Sequence, residues 1–199
     1  MNLSRVTVAV GSYGVNCSVL TVGGGTWIVD PGDEPARIVD ALKGAVPTAI
    51  LLTHAHFDHV GAVTALQERF PGLPLYVHPE DVRYLGHPMN RCPPDYPGIP
   101  VPRDIRDCRT LEGVTVIETP GHTPGGVCYH FPDARLVLTG DTLFAGSVGR
   151  TDFPGGDMAR MIESLKRLIE LPEATTVVPG HGDETTIATE KRRNPFLRF

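Results

Sequence analysis

The 199 residues predict mixed β-sheets with helices on their outer sides, an α/β or α+β arrangement in one domain spanning residues 1–199. Three observations predict it. Strand-length apolar runs alternate with segments of helical periodicity. The order strands, helix, strand, helix in the first half returns as strands, helix, strand in the second. No low-complexity linker divides the chain, and its 41% hydrophobic content is ordinary for a globular domain.

In chain order, "RVTVAV", "CSVLTV" and "TWIVD" read as strands, with a hairpin turn at Gly23, Gly24 and Gly25. "EPARIVDALKG" sets Ile38, Val39 and Leu42 on one helical face and stops at Gly44. "TAILLT" is apolar throughout, as in a strand buried on both faces, and "GAVTALQERF" reads as the helix after it. From His87 to Arg109, Pro88, Pro93, Pro94, Pro97, Pro100 and Pro102 make regular structure improbable over most of the segment, a candidate surface lid. "GVTVIET", "VCYHF", "RLVLTG" and "TTVVPG" resume the strands. "DMARMIESLKRLIEL" between the last two is a helix whose core stripe is Met158, Met161, Ile162, Leu165, Leu168 and Ile169.

Composition narrows the function. A net charge of −5 with no basic block argues against nucleic acid or an anionic membrane surface, so the expected partner is a small molecule. No segment has the length of a signal-peptide core or a membrane span, which places the chain in the cytoplasm. Cys17, Cys92, Cys108 and Cys128 form no C-x-x-C pair and read as thiols, with zinc at Cys92 and Cys108 as a weaker alternative.

The chemistry concentrates in "THAHFDH". Residues two apart in an extended segment share a face, so His54 and His56 form a pincer where the strand ends. Asp58 and His59 follow at the turn into the next helix and serve a second position. Three other apolar runs also end on a small residue and a metal-type ligand: His122 after "VTVIETPG", Asp141 after "RLVLTG" and His181 after "TTVVPG". Ligands gather beyond the carboxyl ends of strands in α/β sheets, so these seven side chains converge on one crevice. Imidazole and carboxylate without thiolate select zinc, iron or manganese, with zinc the first choice. If Asp141 bridges, two divalent ions each take three protein ligands and share a hydroxide. Their +4, set against −3 from Asp58, Asp141 and that hydroxide, leaves about +1 to meet an oxyanion. Isolated His78 and His130 read as structural; His87, in the proline-rich segment, could touch substrate but is not assigned to the site.

"THAHFDH" with His122, Asp141 and His181 resembles the metallo-β-lactamase superfamily in order and spacing along nearly the whole chain. The resemblance implies an α+β, four-layer αβ/βα sandwich of two mixed β-sheets with outer helices. It implies that His54, His56 and His122 hold one metal, that Asp58, His59 and His181 hold another, and that Asp141 bridges them. "IVDPG" resembles the superfamily's first motif, which makes Asp30 either a support for the site or a turn residue. Asp141 stands where true β-lactamases carry cysteine, which speaks against that activity. "GDTLFAGSVGRTDFPGGD" resembles glyoxalase II, a hydroxyacylglutathione hydrolase, especially its short bacterial relatives. That likeness implies a thioesterase with Asp58 and Asp141 catalytic, and puts Arg150 beside the thiol; a salt bridge from Arg150 to Asp152 is the alternative. Only the residues after His181 stand where the classical enzyme has its glutathione-binding extension. Persulfide dioxygenases share "GRTDF" and hold one iron, here at His54, His122 and Asp141, and a lactone or ester hydrolase of the same fold is a further alternative.

Overall fold

The computed structural model describes residues 3–86 and 100–199. Two mixed sheets stack face to face. The first contains β1 (Leu3–Val10), β2 (Val15–Val22), β3 (Gly25–Val29), β4 (Ala49–Leu51), β5 (Leu75–Val77) and β6 (Ile105–Asp107), in that order across the sheet. The first three strands are antiparallel and β3 to β6 are parallel. The hairpin from β2 to β3 turns on Gly23 and Gly24, whose φ values of 55° and 89° suit a two-residue turn between twisted strands.

The second sheet has the order β13-β12-β9-β8-β7, from β7 (Thr115–Glu118), β8 (Val127–Phe131), β9 (Leu136–Gly140), β12 (Thr176–Pro179) and β13 (Thr185–Thr186). A small hairpin, β10 (Leu143–Phe144) with β11 (Ser147–Val148), projects beside it. Helices α1 (Pro35–Ala41), α2 (Phe57–Val60), α3 (Val63–Arg69) and α4 (Pro79–Val82) belong to the first half; α5 (Met158–Ile169) and α6 (Ile187–Arg193) belong to the second.

Strand alternation produces three separate cores. On β3 and β4, Ile28 and Ile50 face Ile38, Val63 and Leu66 of the helices. Their neighbours Trp27, Val29 and Leu51 face the other way, against Tyr129, Leu138 and Val178 of the second sheet. Cys128, Val137 and Val177 then point outward to Met161, Leu165 and Leu168 of α5. Three cores between four layers give the expected sandwich, and explain why "AILL" is apolar without alternation: both of its faces are covered. Asp157 caps α5, its carboxylate accepting the Ala159 and Arg160 N–H groups at 2.8 and 3.1 Å.

One expectation needs correction. Met158 is 45% exposed, because the first helical position lies at the edge of the apolar stripe rather than over the sheet. The proline-rich segment contains β6 near its end, where Ile105–Asp107 is free of proline and pairs with β5. His87 and Cys92, with the candidate lid over residues 87–99, lie outside the described residues.

Candidate metal centre

All seven predicted residues meet at one edge of the sandwich, on loops leaving β4, β7, β9 and β12. The loop after β4 stays extended through His56, whose φ and ψ are −71° and 151°, and then winds into α2 with Asp58 and His59 in its single turn. Two triads result. Ring nitrogens of His54, His56 and His122 lie within 4.8 Å of one another, as do ligand atoms of Asp58, His59 and His181. His54, His59 and Asp141 form a third such group that joins the two. Asp141 reaches both: its Oδ1 is 3.4 Å from His59 Nε2, and its Oδ2 is 3.5 Å from His122 Nε2 and 3.6 Å from His181 Nε2.

Outer partners orient the imidazoles. Nδ1 of His122 donates to the Arg150 carbonyl at 2.7 Å, and Nδ1 of His181 donates to the Tyr13 carbonyl at 2.9 Å. A carbonyl only accepts, so each ring carries a proton on Nδ1 and turns Nε2 toward the centre. Asp30 acts on two rings. Its Oδ2 accepts the Thr53 hydroxyl at 2.7 Å, which obliges Thr53 Oγ1 to accept from His54 Nδ1 at 3.1 Å. The same Oδ2 is 3.1 Å from Nδ1 of His59. Asp30 is also a turn residue, with φ of 51°. Both readings of it therefore describe the same side chain.

Several buried atoms have no hydrogen-bond partner among the described residues: Nε2 of His54, His56 and His59, and Oδ1 of Asp141. Nδ1 of His56 points at Nε2 of His122 over 2.9 Å. Orphaned lone pairs in a buried cluster are costly, and a cation that accepts them removes the cost. The donor set, five imidazoles and two carboxylates without thiolate, is that of a hard or borderline divalent ion.

Charges divide along the same line. Burial, reinforced by the neighbouring imidazoles, holds His54 well below the ordinary histidine range and takes His56 to about 3, so these two rings are neutral and ready to ligate. Burial opposes charge in the second group, but the imidazoles hold Asp58 and Asp141 below the ordinary carboxylate range. The same carboxylates hold His59 and His181 above theirs, also against burial. These protons occupy the charge position that a divalent ion fills.

Glycines permit the crowding. A Cβ at position 180 would lie 2.3 Å from Asp141 Oδ1 and 2.8 Å from His59 Cε1, and one at position 149 would collide with the Asp141 carbonyl. Above the cluster opens a cleft of about 730 Å³, walled by Tyr13, Phe57, Phe144 and Phe153. Arg150 lines it while pairing through two 2.7 Å hydrogen bonds with Asp152, its guanidinium 3.8 Å from the centre of the Phe153 ring. Sequence reasoning found the seven side chains but missed the Arg150 and Tyr13 carbonyls, which no residue type advertises.

His78 and His130 stay apart from the centre. His78 Nδ1 accepts the Glu80 N–H at the start of α4, and His130 is buried in β8 opposite Thr115. Cys17, Cys108 and Cys128 are buried free thiols.

Four layers with a buried histidine and aspartate centre at one edge define a metal-binding, metallo-hydrolase-like enzyme. Residues 10–181 match the model of the Metallo-beta-lactamase superfamily, and the chain belongs to that superfamily. It is 40% identical to the probable metallo-hydrolase YqgX of Bacillus subtilis, over 85% of this chain and 86% of that one. It is 33% identical to the hydroxyacylglutathione hydrolase GloC of Haemophilus influenzae, over 99% and 98%. Among solved structures, TTHA1623 in a di-iron-bound form superposes with a TM-score of 0.90 at 43% identity, covering 96% of this chain and all of that one. BLEG-1 B3 metallo-beta-lactamase gives 0.90 at 34% identity, over 98% and 100%. No helix among the described residues is long and apolar enough to cross a membrane.

Proposed function

We propose that the protein is a dinuclear metal-dependent thioesterase acting on small thioesters of the S-acylglutathione type. The observation that carries the reading is the pair of ligand triads joined through Asp141 at the floor of an aromatic cleft. His54, His56 and His122 would hold one divalent ion, Asp58, His59 and His181 the other, with Asp141 between them. Zinc and iron both suit this donor set, and the di-iron form of TTHA1623 supports a pair of ions. When bound, the ions supply Lewis acidity, polarising a carbonyl and making water acidic near neutral pH.

The chain supplies the rest. Asp58, held ionised beside His181 at 3.3 Å, orients the attacking water from the cleft floor. Water oxygen bonds to the carbonyl carbon, the C–S bond breaks, and the acid and thiol leave as products. Phe57, Phe144 and Phe153 exclude bulk water from the reacting carbonyl, and Arg150 faces a substrate carboxylate from the wall. The likeness to GloC supports glutathione as the thiol.

The test is metal content measured alongside turnover of S-lactoylglutathione. Two ions per chain with hydrolysis is the expected result, and His56→Ala loses activity together with bound metal. One iron per chain with oxygen uptake on glutathione persulfide overturns the reading in favour of a dioxygenase, and turnover of a lactone or β-lactam in place of the thioester overturns the substrate assignment.

A further inference from the structure

Asp81 belongs to neither triad, yet it is completely buried. It lies in α4, outside the sheets, and among the described residues it forms no ion pair. Its carboxylate gathers three donors instead. Oδ2 accepts the Ala55 N–H at 3.0 Å and the Thr123 hydroxyl at 2.8 Å, and Oδ1 accepts the Gly125 N–H at 2.7 Å. Ala55 stands between His54 and His56, and Thr123 directly follows His122. One carboxylate thus ties together the two loops that carry the first triad.

The contact is built from both sides. A Cβ at position 125 would lie 2.7 Å from the Asp81 backbone nitrogen and from Oδ1, so the loop after β7 reaches the carboxylate only as glycine. Burial pushes the Asp81 carboxyl above its ordinary range, with the three donors and His78 acting against that. A buried acid with neutral partners is an expensive way to join two loops if any close packing would serve. Its two acceptor-only oxygens do what no amide can, since an Asn side chain would turn N–H groups toward at least one donor.

We infer that Asp81 is a positioning residue for the first metal position, fixing the separation between the His54–His56 loop and His122. The inference rests on the proposed assignment of those three histidines to one ion. It predicts an effect on one position and not on the other, because the second triad has its own supports: Asp30 beside His59, the Tyr13 carbonyl on His181, and Gly180 packed against His59.

The experiment titrates metal-free protein with zinc against a chromophoric chelator, and with cobalt(II) followed by its visible absorption. His56→Ala and His181→Ala mark the two positions. The wild type is measured first, and a chain that takes up no ion overturns the metal assignment itself. With two ions bound by the wild type, Asp81→Asn is expected to weaken the His54, His56 and His122 position by about 10–100-fold and leave the other unchanged. Thr123→Val, which removes one of the three donors and keeps the carboxylate, shifts the same position by a smaller factor and decides the matter if Asp81→Asn does not fold. Equal loss at both positions, or none at either, overturns the inference.

Discussion

The Asp30 carboxylate stands 3.1 Å from Nδ1 of His59, with both side chains buried. Through Thr53 the same carboxylate also fixes the ring of His54. It therefore serves both triads, unlike Asp81. Asp30→Ala is expected to weaken both metal positions by roughly 10–100-fold, read by competition with a chelator. Unchanged affinity at the His59 position would show that His59 orients itself.

Gly180 separates Pro179 at the end of β12 from His181, and a side chain there has no room beside Asp141 and His59. Gly180→Ala displaces both. Misplacement of this order costs about 100-fold in kcat/KM, with metal content falling as well. A fully active Gly180→Ala enzyme would contradict the tight packing of this corner.

Burial, aided by nearby carboxylates, raises the thiol of Cys17 far above its ordinary range, pushes Cys108 up to about 12, and burial raises Cys128 to about 12. The thiolate is the reactive form, so all three are inert at pH 8. In a Cys92→Ser background, a thiol reagent at pH 8 should label none of them in the native protein and all three after unfolding. Raising the pH to 9 should still give no native labelling, since that is well below the raised values.

Tyr129 crosses the middle core to donate its hydroxyl to the Leu52 carbonyl at 2.8 Å, just before the metal-binding loop. Tyr129→Phe strands a buried acceptor and should cost about 1–3 kcal/mol in the urea unfolding free energy. Metal stoichiometry should be retained, because Leu52 is not in either triad.

The long elements were legible because each repeats a pattern often enough to register. "CSVLTV" alternates between two cores, and "MIESLKRLI" returns an apolar residue to the sheet every three or four positions. Three-residue β5 and two-residue β10, β11 and β13 are too short to show a period, and their pairing is decided by neighbours distant in sequence. Helix α6 is anchored largely by polar contacts, with buried Glu190 accepting from Gly146 and Thr185, so apolar spacing does not announce it. At the centre, the residue types and their strand-end positions were enough to gather seven side chains. Asp81 was invisible because the acidic pair in "HPEDV" resembles any helix start until the fold brings Ala55 and Thr123 to Asp81.

Each triad takes residues from both sheets: His54 and His56 with His122, and Asp58 and His59 with His181. An ion at either position is therefore a rivet through two plates whose three greasy seams are complete without it. Stripping the ions should leave the plates folded while freeing their rims to part, and loading them at 100 times Kd should add about 2.7 kcal/mol of resistance to unfolding per independent site. The rivet holes are also the floor of the cleft, so whatever tightens the seam also shapes that cleft.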